Sequence, residues 1–337
     1  MNPLEAVRIN RRNVLFAFAA AAAVSLGTAA RAATNDLFVG NFGIGTVTRL
    51  NGSTGATVYV APTGGTAAID LAKGPDGALY VTTLFDSSVH RMDPATGTDF
   101  GVFASGGGLT TAVGVAFGPD GNLYVGSRDT NSVIRYNGST GAFIDTFVPS
   151  GSGGLSSTEA LFFGRDGNLY VTEFSGNRVL RYSGASGAFL GVFATDPSLS
   201  GTRSMAYGPD GSLYVAGDFS NNVVRFNGST GAFQNVFSSG INGANGLAFG
   251  PDGNLYVAAE FDAKIERFNG TSGAFIDNFA NVAASPIGIL FDVAAVPEPS
   301  TYVMAMAGFV LLGGFAASRI RAKKLVGKSW PMSGACC

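Results

Sequence analysis

GPDGNLYV occupies residues 118–125 and returns unchanged at residues 250–257. Three variants of this octapeptide lie at residues 74–81, 164–171 and 208–215, which gives a repeat period of 42–46 residues. A period of this length indicates a repeat architecture. When the repeats are aligned, an arginine occupies the same position in six units, one of which precedes the first octapeptide. These residues are Arg49, Arg91, Arg135, Arg181, Arg225 and Arg267.

One repeat divides into four short strands. Around the copy at residue 118, the predicted strands cover residues 112–117, 122–127, 132–136 and 142–148. β-branched and aromatic side chains fill these segments, and the GPDG and NGSTG turns supply the Gly, Pro and Asn that tight hairpins require. Four antiparallel strands every ~40–45 residues are typical of a propeller blade. The sequence therefore predicts an all-β propeller.

The ends of the repeat array set the number of blades. The first unit, which starts at residue 35, lacks an inner strand, whereas a spare strand over residues 287–291 follows the last unit. Pairing the two closes a ring without an open sheet edge. We expect a six-bladed β-propeller over residues 33–293, with four antiparallel strands per blade and a C-terminal inner strand that closes it. The repeated motif resembles those of the NHL-repeat and TolB-like propellers.

Charge and cysteine content narrow the functional classes. The whole chain has a net charge of −2, but residues 33–318 contain 12 Lys and Arg against 22 Asp and Glu, a net charge of −10. Such an acidic body repels phosphate backbones, so we expect no nucleic-acid partner. The two cysteines, Cys336 and Cys337, are adjacent at the C-terminus. A cysteine-free body is typical of an exported bacterial protein that does not depend on disulfides.

The first 32 residues have the three parts of a signal peptide. Arg8, Arg11 and Arg12 form a positive start, residues 14–26 an apolar run, and residues 30–32 an Ala-x-Ala cleavage site. This pattern predicts a removed signal peptide over residues 1–32 and an interaction with the export machinery. The adjacent arginines leave both the general secretion route and the twin-arginine route open.

The C-terminal segment has the composition of a membrane anchor. Residues 302–318 are apolar, and four basic residues follow: Arg319, Arg321, Lys323 and Lys324. We predict a transmembrane helix over residues 302–318 and a basic cytoplasmic tail over residues 319–337, because positive flanks stay in the cytoplasm. Residues 294–301 are then a linker between the propeller and the helix.

That linker carries a further motif, Pro297-Glu298-Pro299. A Pro-Glu-Pro motif followed by an apolar helix and a basic cluster resembles the PEP-CTERM sorting signal of Gram-negative bacteria. The resemblance implies that an exosortase-type enzyme recognises and processes the tail, and that the protein passes transiently through the membrane to the cell envelope or the extracellular matrix. A polysaccharide or an envelope protein is then the expected partner.

Candidate binding residues follow from differences between repeats. Alignment of the inner strands places six residues at one end of the central channel, here called the channel mouth: Ile69, Val113, Glu159, Arg203, Asn245 and Ile287. Asp70 lies one step deeper, and Glu173 follows in the same blade as Glu159. Carboxylate and amide oxygens are the ligands of Ca²⁺ or Mg²⁺, and the fold resembles gluconolactonase-type propellers, which use a Glu/Asn/Asp set. In the alternative, Glu159 or Glu173 pairs with Arg203 on a solvated rim.

The sequence offers little for catalysis. His90 is the only histidine and is predicted to be a partly exposed strand residue away from the mouth. We therefore name no catalytic residue and no required cofactor, and we expect an exported binding or structural protein. A metal-dependent lactonase or lyase with its site at Glu159, Glu173 and Asn245 is the alternative.

Overall fold

A computed structural model describes residues 35–292. In this range 24 strands form six four-stranded antiparallel sheets. The strands of the first three blades are, in chain order, β1 (Leu37–Asn41), β2 (Thr46–Leu50), β3 (Thr57–Pro62), β4 (Ala68–Lys73), β5 (Leu79–Thr83), β6 (Ser88–Met92), β7 (Asp99–Ser105), β8 (Ala112–Phe117), β9 (Leu123–Ser127), β10 (Ser132–Tyr136) and β11 (Phe143–Val148).

The remaining strands follow the same spacing. They are β12 (Thr158–Phe163), β13 (Leu169–Glu173), β14 (Arg178–Tyr182), β15 (Phe189–Thr195), β16 (Thr202–Tyr207), β17 (Leu213–Gly217), β18 (Asn222–Phe226), β19 (Phe233–Ser239), β20 (Ala244–Phe249), β21 (Leu255–Ala259), β22 (Lys264–Phe268), β23 (Phe275–Asn281) and β24 (Pro286–Phe291). Two 3₁₀ turns cover Ser152–Gly154 and Glu260–Asp262. The six-bladed all-β prediction is confirmed, and the predicted strand ends around residue 118 differ by at most one residue.

The ring closes as predicted. Blade 1 has the order β24-β1-β2-β3, while blades 2 to 6 each use four consecutive strands. β24 pairs antiparallel with β1 and sets Phe291 opposite Leu37. The Phe291 ring also packs edge-on against Tyr256 of blade 6 at a centroid distance of 4.8 Å. The last strand therefore joins the first and last blades.

The GPDGNLYV motif builds a turn and a piece of core together. In blade 3 the Asp120 carboxylate accepts the Asn122 backbone N–H at 3.1 Å and the Tyr124 hydroxyl at 2.9 Å. The Tyr124 ring is buried between Phe147 of its own blade and Phe163 of the next, with centroid distances of 4.9 and 4.8 Å. The same Tyr-to-Asp hydrogen bond recurs in the other four copies.

Five of the six repeated arginines lie beside these turns, and the sixth, Arg49, pairs with Asp36. Arg91 pairs with the turn aspartate Asp76 at 2.7 Å, and Arg225 pairs with Asp210 in the same way. In blades 3 and 6 the arginine bonds an outer-strand aspartate at about the same distance and stays 3.8 Å from the turn carboxylate. These contacts give the repeated arginines a structural role, and they identify partners that the sequence alone did not show.

The two kinds of turn share one face of the ring. A Cβ added to Gly138 of an NGSTG turn would lie 1.8 Å from the carbonyl oxygen of Gly121 in the GPDG turn. We call this side the turn face. The opposite side carries the loops between second and third strands and the loops that lead into the inner strands, and we call it the mouth face.

The exposure predicted for His90 is wrong. The side chain is buried, and its Nδ1 lies 2.9 Å from Asp99 Oδ2. The loop after β3 covers the ring, since a Cβ on Gly64 would come within 3.4 Å of His90 Cε1. The sequence of one strand does not reveal this loop, because the covering segment belongs to the preceding blade.

Four predicted segments lie outside the described residues. They are the signal peptide (1–32), the linker (294–301), the apolar helix (302–318) and the basic tail (319–337). Between residues 35 and 292, no helix has the length and apolar character needed to cross a membrane.

Candidate functional site

The inner strands converge on a small cavity at the channel mouth. Its volume is about 20 Å³, room for roughly one water molecule. Four of the five polar candidates predicted from the sequence line it, namely Asp70, Glu159, Arg203 and Asn245. The complete lining is Ile69, Asp70, Val113, Gly114, Glu159, Ala160, Arg203, Ser204, Asn245, Ile287 and Gly288. A cavity of this size admits a water molecule or a small ion, and it excludes a whole organic substrate.

The fifth predicted residue, Glu173, does not line the cavity. It is the last residue of β13, and its buried carboxylate accepts bonds from Ser156, the Gly176 backbone N–H and Arg178. The sequence alignment placed it in a loop that faces the mouth. The loop begins one residue later, so the side chain at position 173 points into the blade.

A chain of ion pairs crosses one side of the mouth. Glu159 Oε2 lies 2.7 Å from Arg128 Nη2, and Glu159 Oε1 lies 3.3 Å from Arg203 Nη1. Arg203 continues to the buried Asp218 at 2.9 Å and lies over the Phe174 ring at 4.4 Å from its centroid. The sequence-based alternative, in which Glu159 pairs with Arg203, matches this contact. The network also includes Arg128 beside Glu159 and Asp218 beside Arg203.

Asn245 completes the polar side. Its Nδ2 donates to Glu260 Oε2 at 2.9 Å. Burial raises the pKa of the Glu260 carboxyl above its usual range, and the negative charges of Asp218 and Glu159 add to this effect, whereas Asn245 and Arg203 oppose it. Glu260 therefore has a neutral partner in Asn245 and acidic neighbours.

Asp70 lies deeper in the channel. Burial raises the pKa of its carboxyl to about 6, although backbone N–H groups of Val115 and Leu71 donate to the charged form. The Val115 bond measures 3.1 Å. Since no cation compensates this carboxylate among the contacts of the described chain, Asp70 binds a proton in the folded state more readily than in the unfolded one.

The other side of the mouth is apolar. Ile69, Leu84 and Val113 form one buried cluster with Ala67. Phe42 and Ile287 pack against it. The mouth thus divides into an apolar half from blades 1 to 3 and a charged half from blades 3 to 6.

Exposed phenylalanines surround the mouth. Phe85, Phe219 and Phe261 each occupy the second position of the loop after the second strand of their blade, and they are 71%, 65% and 61% exposed. Each has a carboxylate as a sequence neighbour. Exposed rings are not confined to these loops, since Phe100 and Phe275 on outer strands are 57% and 54% exposed.

Sequence reasoning missed the functional column of these loops. The first loop residues of blades 3, 5 and 6 supply the groups that bond Glu159, Arg203 and Asn245, namely Arg128, Asp218 and Glu260. In the repeat alignment these three residues stand one position after the column that contains Glu173. The sequence did not show where each second strand ends, so this position was not recognised as the start of the loop.

The chemistry open to this arrangement is limited. Both oxygens of Glu159 face guanidinium groups, so a cation at this carboxylate would compete with Arg128 and Arg203. Across residues 35–292, no three His, Cys, Asp or Glu side chains are grouped to hold a metal ion.

Comparison with known families concerns the tail of the chain. Residues 295–321 match the family model of the PEP-CTERM protein-sorting motif. The chain carries a PEP-CTERM sorting motif. This signal implies export, processing by an exosortase and sorting to the cell envelope. No curated protein sequence matches the chain.

Solved structures share the fold of the body. One chain of a crystal structure of a nidogen/laminin complex aligns with a TM-score of 0.66 and 15% identity, over 77% of this chain and 99% of its own length. A protein of unknown function from Bacteroides caccae aligns with a TM-score of 0.57 and 16% identity, over 76% of this chain and 98% of its own. At these identities the likeness concerns the fold alone.

Proposed function

We propose that this protein is an exported propeller, sorted to the envelope or matrix as an exosortase substrate, that binds a polysaccharide or protein ligand at its mouth face without catalysis. The sorting motif supports the destination. The contrast between a uniform turn face and a variable mouth face supports the place of binding.

One observation carries the non-catalytic part of this proposal. The network from Arg128 through Glu159 and Arg203 to Asp218 engages the acidic groups that a hydrolase or lyase would need free. A divalent cation would have to displace two guanidinium groups from Glu159 to bind there. The mouth is therefore a charged, paired surface with exposed rings around it, as in a recognition site.

The sorting part is tested by intact mass. Because proline disfavours a helix, the sequence leads us to expect that Pro297 and Pro299 leave this segment accessible to a processing enzyme. We expect protein recovered from the host surface to lack the residues that follow this motif. Changing both prolines to Ala should leave a longer, membrane-retained chain. A mature chain that still ends at Cys337 would show that the tail is a plain anchor.

The binding part is tested by rebinding to host cells. Protein recovered from the surface is added back to washed cells, and the retained fraction is measured. We expect the double variant Phe219→Ser/Phe261→Ser to be retained at least about tenfold less than wild type, because surface rings at a contact carry much of its energy. The matched control Phe143→Ser/Phe233→Ser changes two rings of similar type on outer strands. Equal retention of the mouth and control variants would contradict a binding role for the mouth face.

A further inference from the structure

Blades 5 and 6 present the same three positions to the mouth with different residues. Blade 5 has Arg203 on its inner strand, followed by Asp218 and Phe219 in its loop. In blade 6 the equivalent residues are Asn245, Glu260 and Phe261. The strand registers agree, since the residue before Arg203 pairs with Gly217 and the residue before Asn245 pairs with Ala259. The two blades therefore differ by one cation.

Blade 5 shows how this surface holds a guanidinium. Arg203 lies between Glu159 and Asp218, at 3.3 and 2.9 Å, and over the Phe174 ring at 4.4 Å. Two carboxylates and an aromatic face are a favourable environment for a planar cation. In blade 5 the cation is Arg203 of the protein itself.

Blade 6 keeps the carboxylate and the ring but lacks the cation. Glu260 receives a neutral amide bond from Asn245, and the exposed Asp262 in the same loop receives one from Asn242 at 2.8 Å, so neither carboxylate is paired with a cation through these bonds. Oδ1 of Asp218, a residue that is 2% exposed, accepts no hydrogen bond from any described residue. Three carboxylates (Glu159, Asp218 and Glu260) thus face two guanidinium groups, which leaves one negative charge uncompensated.

We propose that the blade 6 side of the mouth binds a lysine or arginine side chain of a basic polypeptide segment, with Glu260 and Asp262 pairing the cation and Phe261 covering it. This proposal rests on the proposed function and names its ligand class. The cation site lies in the exposed loop of blade 6, outside the small cavity, and the exposed rings of Phe219 and Phe261 offer contact surface for an extended chain. The acidic body attracts a basic partner over a longer range.

The test uses the protein recovered from its host and two peptides, acetyl-(Gly-Arg)₄-amide and its citrulline counterpart, which keeps the shape but loses the charge. Calorimetric titration at low ionic strength should give a dissociation constant at least about tenfold lower for the arginine peptide. Glu260→Gln should reduce arginine-peptide binding to the citrulline level. Asp277→Asn removes the same charge from the outer strand of the same blade and should bind as wild type.

A second variant protects the test against misfolding. Phe261 is largely exposed, so Phe261→Leu should keep the fold and still weaken arginine-peptide binding severalfold, because the aromatic face is lost. Equal affinities for the two peptides, or unchanged binding by Glu260→Gln, would overturn the proposal. So would displacement of the peptide by micromolar Ca²⁺, which would make this a metal site. Full rebinding of Glu260→Gln to host cells would refute the cation site while the binding function stands.

Discussion

The two faces of the propeller are built from the same repeats and differ in how much the repeats agree. On the turn face, every GPDG copy bonds its own tyrosine through the turn aspartate. On the mouth face, equivalent positions carry a leucine in one blade and charged residues in others. Repetition on one face indicates a shared structural task, whereas divergence on the other makes a single asymmetric surface.

The two faces also oppose each other in electrostatics. Burial alone would raise the pKa of Asp76 on the turn face, but bonds from Arg91, the Ala78 N–H and Tyr80 hold it below its usual range. At the mouth, burial raises the pKa of Asp70 to about 6. The charged form of Asp76 is therefore favoured on the turn face, whereas burial disfavours the charged form of Asp70 in the channel.

Opening the ring should have the largest effect, because it destroys the mouth while it leaves each turn in place. Deletion of residues 285–293 removes β24 and exposes the edge of β1. We expect the free energy of unfolding to fall by about 5 kcal/mol or more, since Ile289 and Phe291 leave the core. Scanning calorimetry measures this. Deleting residues 329–337, a segment of equal length, should leave the melting of the propeller unchanged, and a closure deletion that melts like wild type would break the six-blade closure.

The second prediction compares the loss of stability on substituting a buried aromatic residue near the turn face with that on substituting an exposed one at the mouth face. Tyr124→Ala empties a buried site between two blades and should destabilise the fold by about 3–5 kcal/mol. Phe219→Ser changes a ring that is 65% exposed and should alter stability by about 0.5 kcal/mol or less. Urea unfolding of both variants measures the difference. Similar losses would show that the mouth ring is part of the core rather than a contact surface.

The pH dependence sharpens the electrostatic contrast. Because the folded pKa of Asp70 exceeds its unfolded value, the native state binds more protons between about pH 4 and 6, and stability falls as the pH rises through that window. In Asp70→Asn the free energy of unfolding should no longer fall by about 1–2 kcal/mol between pH 4 and pH 7. This figure is smaller than the full pKa shift would give, because Asp70 borders the cavity. Asp76→Asn should act with opposite sign, removing stability that wild type has above about pH 4. Unfolding curves at pH 4 and pH 7 decide this, and parallel behaviour of the two variants would refute the contrast.

The smallest expected effect is that of divalent cations. Since Glu159 is already paired by Arg128 and Arg203, we expect millimolar Ca²⁺ or Mg²⁺ to shift the melting temperature by no more than about 1 °C. An ionic-strength match with NaCl is the control. A shift of several degrees that disappears in Glu159→Gln would restore the metal-dependent alternative.

Much of the fold was predictable because each blade is encoded locally. The GPDG and NGSTG turns fix where strands reverse, and the spare strand at residues 287–291 fixes closure. The site was predictable only in part. Asp70, Glu159, Arg203 and Asn245 follow from the inner-strand alignment, whose register the repeats reveal. Glu173 was misplaced and Glu260 missed, because a shift of one residue at a strand end turns the side chain to the other side of the sheet.

The sequence by itself determined the period, the turn chemistry and the sorting motif, which depend on residues close together in the chain, and the number of blades, which follows from counting repeats and matching the two ends of the array. Only the tertiary structure decided the burial of His90, the partners of the repeated arginines and the ion-pair network from Arg128 to Asp218. The arginine pairs lie within single blades, whereas the ion-pair network and the loop that covers His90 join residues from different blades. Their geometry exists only once six inner strands converge, because a side chain's burial and charge environment depend on neighbours that the chain brings in from the next blade.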